Sequence, residues 1–505
     1  MNSPVPKAAA TAATAPPLEQ RVRQLAGAFQ EAGHRLYLVG GSLRDRMLGR
    51  PVHDVDLTTD ATPDEIRRLV KRVRPDAVYD IGAKFGTIGI IFHRPAPPAA
   101  TPPEPSANAS VPATDGLDTT GDLALSPVSD DVVEITTFRS EAYVDGTRKP
   151  VVAFGTSLEE DLARRDFTMN AMAQDLVTDA LYDPFNGAGD IGQRLIRAVG
   201  DAPARFRDDP LRLLRAVRFA AQLGFTIDPE TLAAMRATAP ELERISKERI
   251  QEELTRILVS PRPAMGLRLA TELGLIGYAI PEVLPMRGVS QRPLHHKDVF
   301  EHTMGVVENI PADTLLRWAA LLHDIGKPRT KSVQEGEVHF FGHEDVGERM
   351  ARVILRRLHL DSQFIERVAK LVRMHLRVNS YDSTWTDSAV RRLMREAGDE
   401  LEPLIHLSRA DVTSYRQDRV RAATMRADEF ARRCQELLAQ EDVAKLHSPL
   451  DGNELMTLLN RPPGPWIKPI KEYLLDLVLD GELDQDNKDR ATELAREFIA
   501  TQNQA

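Results

Sequence analysis

Hydrophobic periodicity changes once along this 505-residue chain, and that change dictates its architecture. In the first part, strand-like and helical patterns alternate. Leu18 to Ala32 has helical spacing, Arg35 to Val39 is a short apolar strand ending at Gly40-Gly41, and Val55 and Leu57 alternate with Asp54 and Asp56. Pro63-Asp64-Glu65 then opens a further helix. From Pro203 onward the spacing is overwhelmingly helical, with amphipathic stretches at Leu211 to Leu223, Pro229 to Arg236 and Lys247 to Leu258. The expected fold is an α/β head followed by an all-α neck and body, and no fixed-period repeat offers an alternative.

Two segments stand outside this pattern. Residues 1–17 are rich in Ala and Pro, lack a basic start followed by a strong apolar block, and read as a disordered tail and not a signal peptide. Residues 95–128 hold eight prolines in 34 positions and are expected to be disordered. They separate two strand-like runs, 86–92 and 132–138, so they read as a loop inserted at a hairpin; closing so long a loop costs little, because the entropy grows logarithmically.

Composition excludes several classes. Hydrophobic residues at 42% and charged residues at 28% are globular values, and no apolar run reaches the length of a membrane span. A single cysteine, Cys434, excludes an intramolecular disulfide and a cysteine-based zinc site, which suits a reducing compartment and a cytoplasmic address. The net charge of -10 means that a nucleic-acid partner must be met by a local basic patch.

Three constellations carry chemistry. In the first, Val39-Gly40-Gly41-Ser42-Leu43-Arg44 runs from a strand through paired glycines into a helix, a cradle whose backbone N–H groups and arginine suit phosphate. Asp54 and Asp56, two apart on a strand, share a face, as two carboxylates must to hold Mg2+ against substrate phosphates. Glu134, alternating with apolar neighbours, is the candidate third carboxylate; a salt-bridged strand-edge glutamate is the equal alternative.

These residues resemble the class II tRNA nucleotidyltransferase and bacterial poly(A) polymerase family of the polymerase β superfamily. The resemblance rests on VGGSLRDRMLGRPVHDVDL from Val39, RRDFTMNAMA from Arg164, DPFNGAGDI from Asp183, DDPLRLLRAVRFAAQLGF from Asp208 and ISKERIQEEL from Ile245. It implies a polymerase β nucleotidyltransferase head over 18–200 and a nucleotide-selecting helical neck over 201–285. By position it implies triphosphate contacts from Gly40, Gly41 and Arg44, magnesium on Asp54 and Asp56, and a nucleotide contact from Arg165.

The second constellation lies in the neck. Residues 194–218 hold seven arginines and three aspartates, a local excess of four positive charges that suits polyphosphate or RNA. Arg212, Arg215 and Arg218 follow Asp209 at intervals of three, along one helical stripe. Cytosine and adenine both offer an exocyclic amine beside a ring-nitrogen acceptor, so an Asp acceptor next to an Arg donor accepts C and A and rejects U and G. Asp209 and Arg212 fit that role, which the resemblance also implies, leaving Arg215 and Arg218 for triphosphate or base. The stretch Ile81-Gly82-Ala83-Lys84-Phe85-Gly86-Thr87 is more similar to CCA-adding enzymes than to poly(A) polymerases.

The third constellation is a histidine concentration: eight of the chain's 13 lie within 295–375. His302, the tandem His323-Asp324 before Ile-Gly-Lys, and Asp411 resemble the HD phosphohydrolase superfamily, whose ligands suit a divalent metal of unspecified identity. His343 and His375 could add a second metal or merely cap and pack. An HD domain over 286–420 and a helical region over 421–505 complete the expected organisation.

The leading expectation is therefore template-independent addition of C, C and A to the 3′ end of tRNA from CTP and ATP, with release of pyrophosphate. The alternatives are poly(A) addition, and an HD phosphohydrolase acting on RNA ends or nucleotides with a non-catalytic head. A non-catalytic RNA-binding protein would not need metal-holding carboxylates.

Overall fold

The computed structural model describes residues 18–52, 54–81, 86–93, 130–142, 151–154, 157–290, 298–412, 417–440 and 447–502. The tail 1–17, the 95–128 insertion and residues 82–85 of the Gly-Thr segment lie outside them. Two compact units divide the chain: Met1–Ile245 with Leu273–Leu275, and Ser246–Glu272 with Ile276–Ala505.

The first unit begins with α1 (Leu18–Glu31), β1 (Leu36–Val39), α2 (Gly40–Met47), β2 (Asp54–Thr59), α3 (Pro63–Val70), β3 (Ala77–Ile81), β4 (Thr87–Phe92) and β5 (Asp131–Thr137). It continues with β6 (Arg139–Ala142), β7 (Val151–Phe154), α4 (Leu158–Ala163), β8 (Ala173–Asp175), β9 (Leu181–Tyr182) and α5 (Gly187–Gly192). The sheet order is β3-β4-β5-β2-β1-β8-β9, with β2 and β5 parallel and the other neighbours antiparallel. The two runs flanking the proline-rich insertion pair as a hairpin, Thr87 opposite Thr136 through Phe92 opposite Asp131.

Alternation decides which face of this sheet is core. Ile88, Ile90, Val133, Ile135, Val55 and Leu57 are buried on one side, where α1 and α3 bring Leu25, Phe29, Ile66 and Val70. The helix α3 starts sharply because Thr62 and Glu65 form a reciprocal capping box around Pro63. The opposite face is left to Asp54, Asp56 and Glu134.

The neck follows as β10 (Leu195–Ile196), α6 (Ala202–Asp208), α7 (Leu211–Leu223), β11 (Thr226–Ile227) and α8 (Pro229–Thr238). It is not purely helical: β10 and β11 form a short parallel pair. The helix α7 ends at Gly224, whose φ of 69° supplies the left-handed cap that a side chain would resist.

The second unit contains α9 (Lys247–Leu258), α10 (Pro263–Glu272), α11 (Ile276–Ala279), α12 (Val299–Asn309), α13 (Thr314–Leu322) and α14 (Lys327–Thr330). A small hairpin, β12 (Ser332–Gln334) and β13 (Glu337–His339), interrupts the expected all-helical body. Next come α15 (His343–Arg357), α16 (Ser362–Asn379), α17 (Asp387–Ala397), α18 (Leu401–Ala410) and α19 (Gln417–Gln440). The last three are α20 (Gly452–Leu459), α21 (Ile467–Leu479) and α22 (Lys488–Gln502), which share a core of Leu455, Ile470, Leu474 and Ala491. Trp318 is wholly buried and donates from Nε1 to Thr255 Oγ1 at 3.1 Å, so its one polar atom is satisfied. Among the described residues no helix is long and apolar enough to cross a membrane.

Candidate functional site

In the first unit, strand register builds the site. Asp56 lies directly opposite Glu134 across β2 and β5, and Asp54 shares their face two residues away. Ser42 ties the phosphate cradle to this strand: its hydroxyl donates to Asp54 O at 2.9 Å and accepts from Asp56 N–H at 2.8 Å. Gly40 has φ 67°, and a Cβ there would come 3.1 Å from Arg165 Nη1 and 3.4 Å from Asp56 Oδ2. Glycine is thus required both by conformation and by the approach of a cation and a carboxylate. Burial raises the pKa of Asp56 against the pull of Arg165, and the Asp54 charge raises it further. Glu134 is raised by burial and by Asp56 and Asp54. Tyr79 is raised too, by burial and then by Glu134 and Asp54.

Crowded carboxylates with raised pKa values store repulsion that a hard cation relieves. The donor set is all oxygen and fits magnesium, which takes one or two carboxylates and completes its shell from phosphate and water. Among the described residues, only two groups bring three ligand atoms within 4.8 Å of one another, and both lie in the second unit. Asp54, Asp56 and Glu134 form a row and not a closed cage, as an open site for a metal-nucleotide requires.

The arginines are held by a buried relay that the sequence reading did not anticipate. Arg44, 7% exposed, donates from Nη1 to Asn170 Oδ1 at 2.9 Å and forks onto Asp45. Asn170 donates to Asp166 Oδ1 at 3.1 Å, and Arg215 grips Asp166 Oδ2 through Nε and Nη2 at 2.8 and 2.6 Å. Burial opposes the charge on Asp166, yet Arg215 and Asn170 hold its carboxyl far below the ordinary range. Arg164 and Arg165 both pair with the fully buried Asp161. The buried Nε of Arg165 has no hydrogen-bond partner.

On α7, Arg212 donates to Arg205 O at 3.0 Å and Arg164 O at 2.8 Å, while Asp209 Oδ1 accepts from Leu211 N–H at 3.2 Å. The guanidinium groups of Arg44, Arg215 and Arg218 lie 5.1, 5.6 and 4.5 Å from the Phe219 ring centroid, and Phe167 packs edge-on against that ring. Arg215 and Arg218 thus share the Phe219 ring, Arg215 also seated on a carboxylate, while Arg212 turns to backbone carbonyls.

Because the folded-state pKa of Asp166 is depressed, its contribution to stability is full above the unfolded value near ~3.9 and is lost as pH falls through the folded value. Asp166→Ala should cost about 2–4 kcal/mol, with Arg215 left partly hydrated. Urea unfolding at pH 7 measures the loss, and the gap to wild type should narrow progressively as pH falls below about 4.

The second unit assembles all six expected ligands. His302 Nε2 lies 3.0 Å from Asp411 Oδ1, 3.2 Å from His323 Nε2 and 3.4 Å from Asp324 Oδ2. His323 Nε2 is 3.2 Å from Asp324 Oδ2 and 3.3 Å from Asp411 Oδ1. On the other side of the same carboxylate, His343 Nε2 and His375 Nε2 are 3.5 and 3.8 Å from Asp324 Oδ1 and 3.3 Å apart. His343 and His375 thus both turn Nε2 toward Asp324.

Three of these imidazoles are oriented alike: Nδ1–H donates to a carbonyl, from His323 to Ala320, His343 to Phe340 and His375 to Val372, at 2.7, 2.8 and 2.6 Å. That leaves Nε2 of each ring aimed inward, with a lone pair there whenever the ring is neutral. Asn379, held by Ser408, donates to Asp411 Oδ2 at 2.9 Å, and Lys327 donates to Asp324 Oδ2 at 2.6 Å.

The electrostatics demand positive charge between these groups. Asp324 Oδ1 is buried with no hydrogen-bond donor. Burial takes His375 down to about 4, and it lowers His343. Burial also opposes charge on His323, but Asp324 and Asp411 raise it to about 10, the mark of a position that takes a proton where no metal is supplied. A divalent cation would suit this donor set of imidazoles and carboxylates, held by His302, His323, Asp324 and Asp411, with His343 and His375 beside them.

Three family models match the chain in succession. A model of the poly A polymerase head domain matches residues 36–102 and 116–197. A second model, described as a probable RNA and SrmB-binding site of polymerase A, matches 224–286, and an HD domain model matches 295–416. The CCA-adding enzyme of Geobacillus thermodenitrificans is 30% identical over 94% of this chain and 95% of its own length. The A-adding tRNA nucleotidyltransferase of Deinococcus radiodurans is 36% identical over 66% of this chain and 78% of its own. The crystal structure of the Bacillus stearothermophilus CCA-adding enzyme in complex with CTP is similar with a TM-score of 0.65 and 27% identity, covering 97% of this chain and all of that one.

Proposed function

The chain belongs to the family of CCA-adding tRNA nucleotidyltransferases, and from that premise we propose that it adds C, C and A in turn to the 3′ end of tRNA from CTP and ATP, releasing pyrophosphate at each step. The observation that carries this reading is the row of Asp54, Asp56 and Glu134 facing Gly40, Arg44 and Arg165, carboxylates on one side of a reaction centre and phosphate-binding groups on the other. Asp54 and Asp56 would hold Mg2+, which when bound neutralises charge on the triphosphate and makes the primer hydroxyl a better nucleophile. Gly40, Gly41, Arg44 and Arg165 bind and orient the triphosphate, and the Asp166–Asn170 relay keeps Arg44 in place. Asp209 accepts from the exocyclic amine of C or A and Arg212 donates to the ring nitrogen beside it. Such a reaction belongs in the cytoplasm, where tRNA and nucleoside triphosphates meet.

The relatives include a CCA-adding and an A-adding enzyme, so the test must separate partial addition from the full sequence. Purified protein with magnesium is given tRNA lacking its 3′ CCA, or ending in CC, with each labelled triphosphate alone and together. CCA addition predicts two C on the first primer with CTP, one A on the second with ATP, and no use of UTP or GTP. Use of ATP alone on the CC primer would make it an A-adding enzyme, and long A tails a poly(A) polymerase.

Base choice gives a finer prediction. Asp209→Ala should reduce the preference for CTP over UTP by about five- to a hundredfold, the worth of one unpaired polar group, while the KM for CTP changes less. Unchanged preference with reduced activity would make Asp209 a structural helix-start residue.

The cluster of four histidines with Asp324 and Asp411 supports a second activity, metal-dependent hydrolysis of phosphate esters in the HD domain, with the metal expected to be a divalent ion bound by imidazole and carboxylate.

A further inference from the structure

The row of catalytic carboxylates continues beyond Glu134. Glu134 is opposite Gly89 on β4, and Gly89 is opposite Tyr79 on β3, so Asp56, Glu134, Gly89 and Tyr79 lie across four adjacent strands on one face. A Cβ on Gly89 would come 2.4 Å from Tyr79 Cζ and 2.7 and 2.8 Å from its two Cε atoms. The near equality of the three distances puts the ring face, not its edge, over Gly89. The ring therefore lies flat on the sheet, covering a backbone that has no side chain of its own, and remains 36% exposed.

The position of this ring relative to the reaction follows from in-line displacement. Attack on the α-phosphorus needs the nucleophile opposite the departing pyrophosphate. The triphosphate groups, Gly40, Gly41, Arg44 and Arg165, lie at the end of β1 and along Asp56, on one side of the carboxylates. The base-reading Arg212 is bonded to Arg164 O, on that same side. Both ends of the incoming nucleotide are thus provided for. Tyr79 lies on the other side, three strand spacings from Asp56, roughly 14 Å across the sheet.

We propose that Tyr79 is a positioning residue for the second reactant: its exposed ring face stacks the 3′-terminal base of the tRNA primer and so holds the terminal hydroxyl toward Asp56 and Glu134. This rests on the nucleotidyltransferase reading of the same site. Single-stranded RNA ends are recognised by stacking on aromatic faces, and such a stack tolerates any base, as a primer end that changes from one addition to the next requires. Gly89 is then needed for the ring to lie flat, and the pair works as a unit.

A purely structural role, the ring shielding a strand glycine, makes different predictions. In steady-state addition to tRNA, Tyr79→Phe should stay within about twofold of wild type, since the ring face is kept. Tyr79→Leu, which keeps an apolar cover over Gly89, should lower kcat/KM for tRNA about five- to a hundredfold, the size of one base–aromatic stack, with the KM for CTP within about twofold. Gly89→Ala should reproduce that loss by lifting the ring, but should add little to Tyr79→Leu. A primer carrying 2-aminopurine at its 3′ end should be quenched on binding the wild type and less so on binding Tyr79→Leu. If Tyr79→Leu matches the wild type, or raises the KM for both substrates equally, the inference is overturned. Failure of the wild type to extend any tRNA would instead overturn the reading on which it rests.

Discussion

Asp56→Ala should abolish nucleotide addition, lowering kcat by a hundredfold or more, while tRNA binding stays within about twofold and thermal stability does not fall. The expected loss is large because removal of groups that merely support a metal ligand already costs about 10- to 100-fold, and Asp56 is proposed as a ligand itself, between Asp54 and Glu134. Stability is spared for an electrostatic reason. Asp56 is buried beside Asp54 and opposite Glu134, and all that favours its charge in the free protein is Arg165, Arg44 and the Ser42 hydroxyl. Deleting a carboxylate that burial and like charges disfavour relieves repulsion. Asp54→Ala should behave alike in activity. Incorporation above a few per cent of wild type by either variant, measured with labelled CTP over a magnesium titration, would remove these carboxylates from the chemistry.

What made Asp54, Asp56 and Glu134 legible in the sequence is the period of two in a strand: alternation with Val55, Leu57, Val133 and Ile135 places them on the face opposite the core whatever the strand pairs with. Their mutual arrangement was not legible. The parallel register that sets Asp56 against Glu134 joins segments 78 residues apart, on either side of a proline-rich insertion. For the same reason Tyr79 passed unnoticed. Only the pairing of β3, β4 and β5 shows that Gly89 leaves room for its ring beside Glu134.

The arginines illustrate a different limit. Spacing of three on α7 was enough to put Arg212, Arg215 and Arg218 on one stripe, but not to show what each meets. Arg215 meets Asp166, Arg212 meets backbone carbonyls, and the Asp166–Asn170–Arg44 relay runs through residues whose sequence signal is only two polar positions in RRDFTMNAMA. Buried polar chains are specified by tertiary placement, and nothing periodic announces them. In the HD domain the density of histidines was sufficient to locate the site. Asp411 is contributed 109 residues after His302, and only α18 ending beside α12 and α13 brings them together.

If the second unit is the proposed metal-dependent hydrolase, Asp324→Ala should prevent its metal binding and lower hydrolysis of 2′,3′-cyclic nucleotides and phosphate monoesters by at least about a hundredfold, without altering C or A incorporation. Among the described residues, Asp324 presents an oxygen to each half of the cluster: Oδ2 to His302 and His323, Oδ1 to His343 and His375. Single histidine variants should be graded by contrast. His323→Ala removes one ligand from the first half and should abolish hydrolysis yet retain metal on the His343 and His375 side, whereas His375→Ala should do the reverse. Metal content is read directly by elemental analysis after loading with manganese, nickel or cobalt, and cobalt adds a visible spectrum sensitive to ligand number. Removing Asp324 also deprives Lys327 of its carboxylate at 2.6 Å and His323 of the nearer of its two anions, so the imidazole pKa should fall from about 10 toward its ordinary value. A wild type that binds metal but hydrolyses none of these esters with magnesium, manganese, nickel or cobalt would make the domain a metal-braced scaffold. One that binds no metal at all would mean that the cluster is held by the proton on His323, and the metal-site assignment would be wrong.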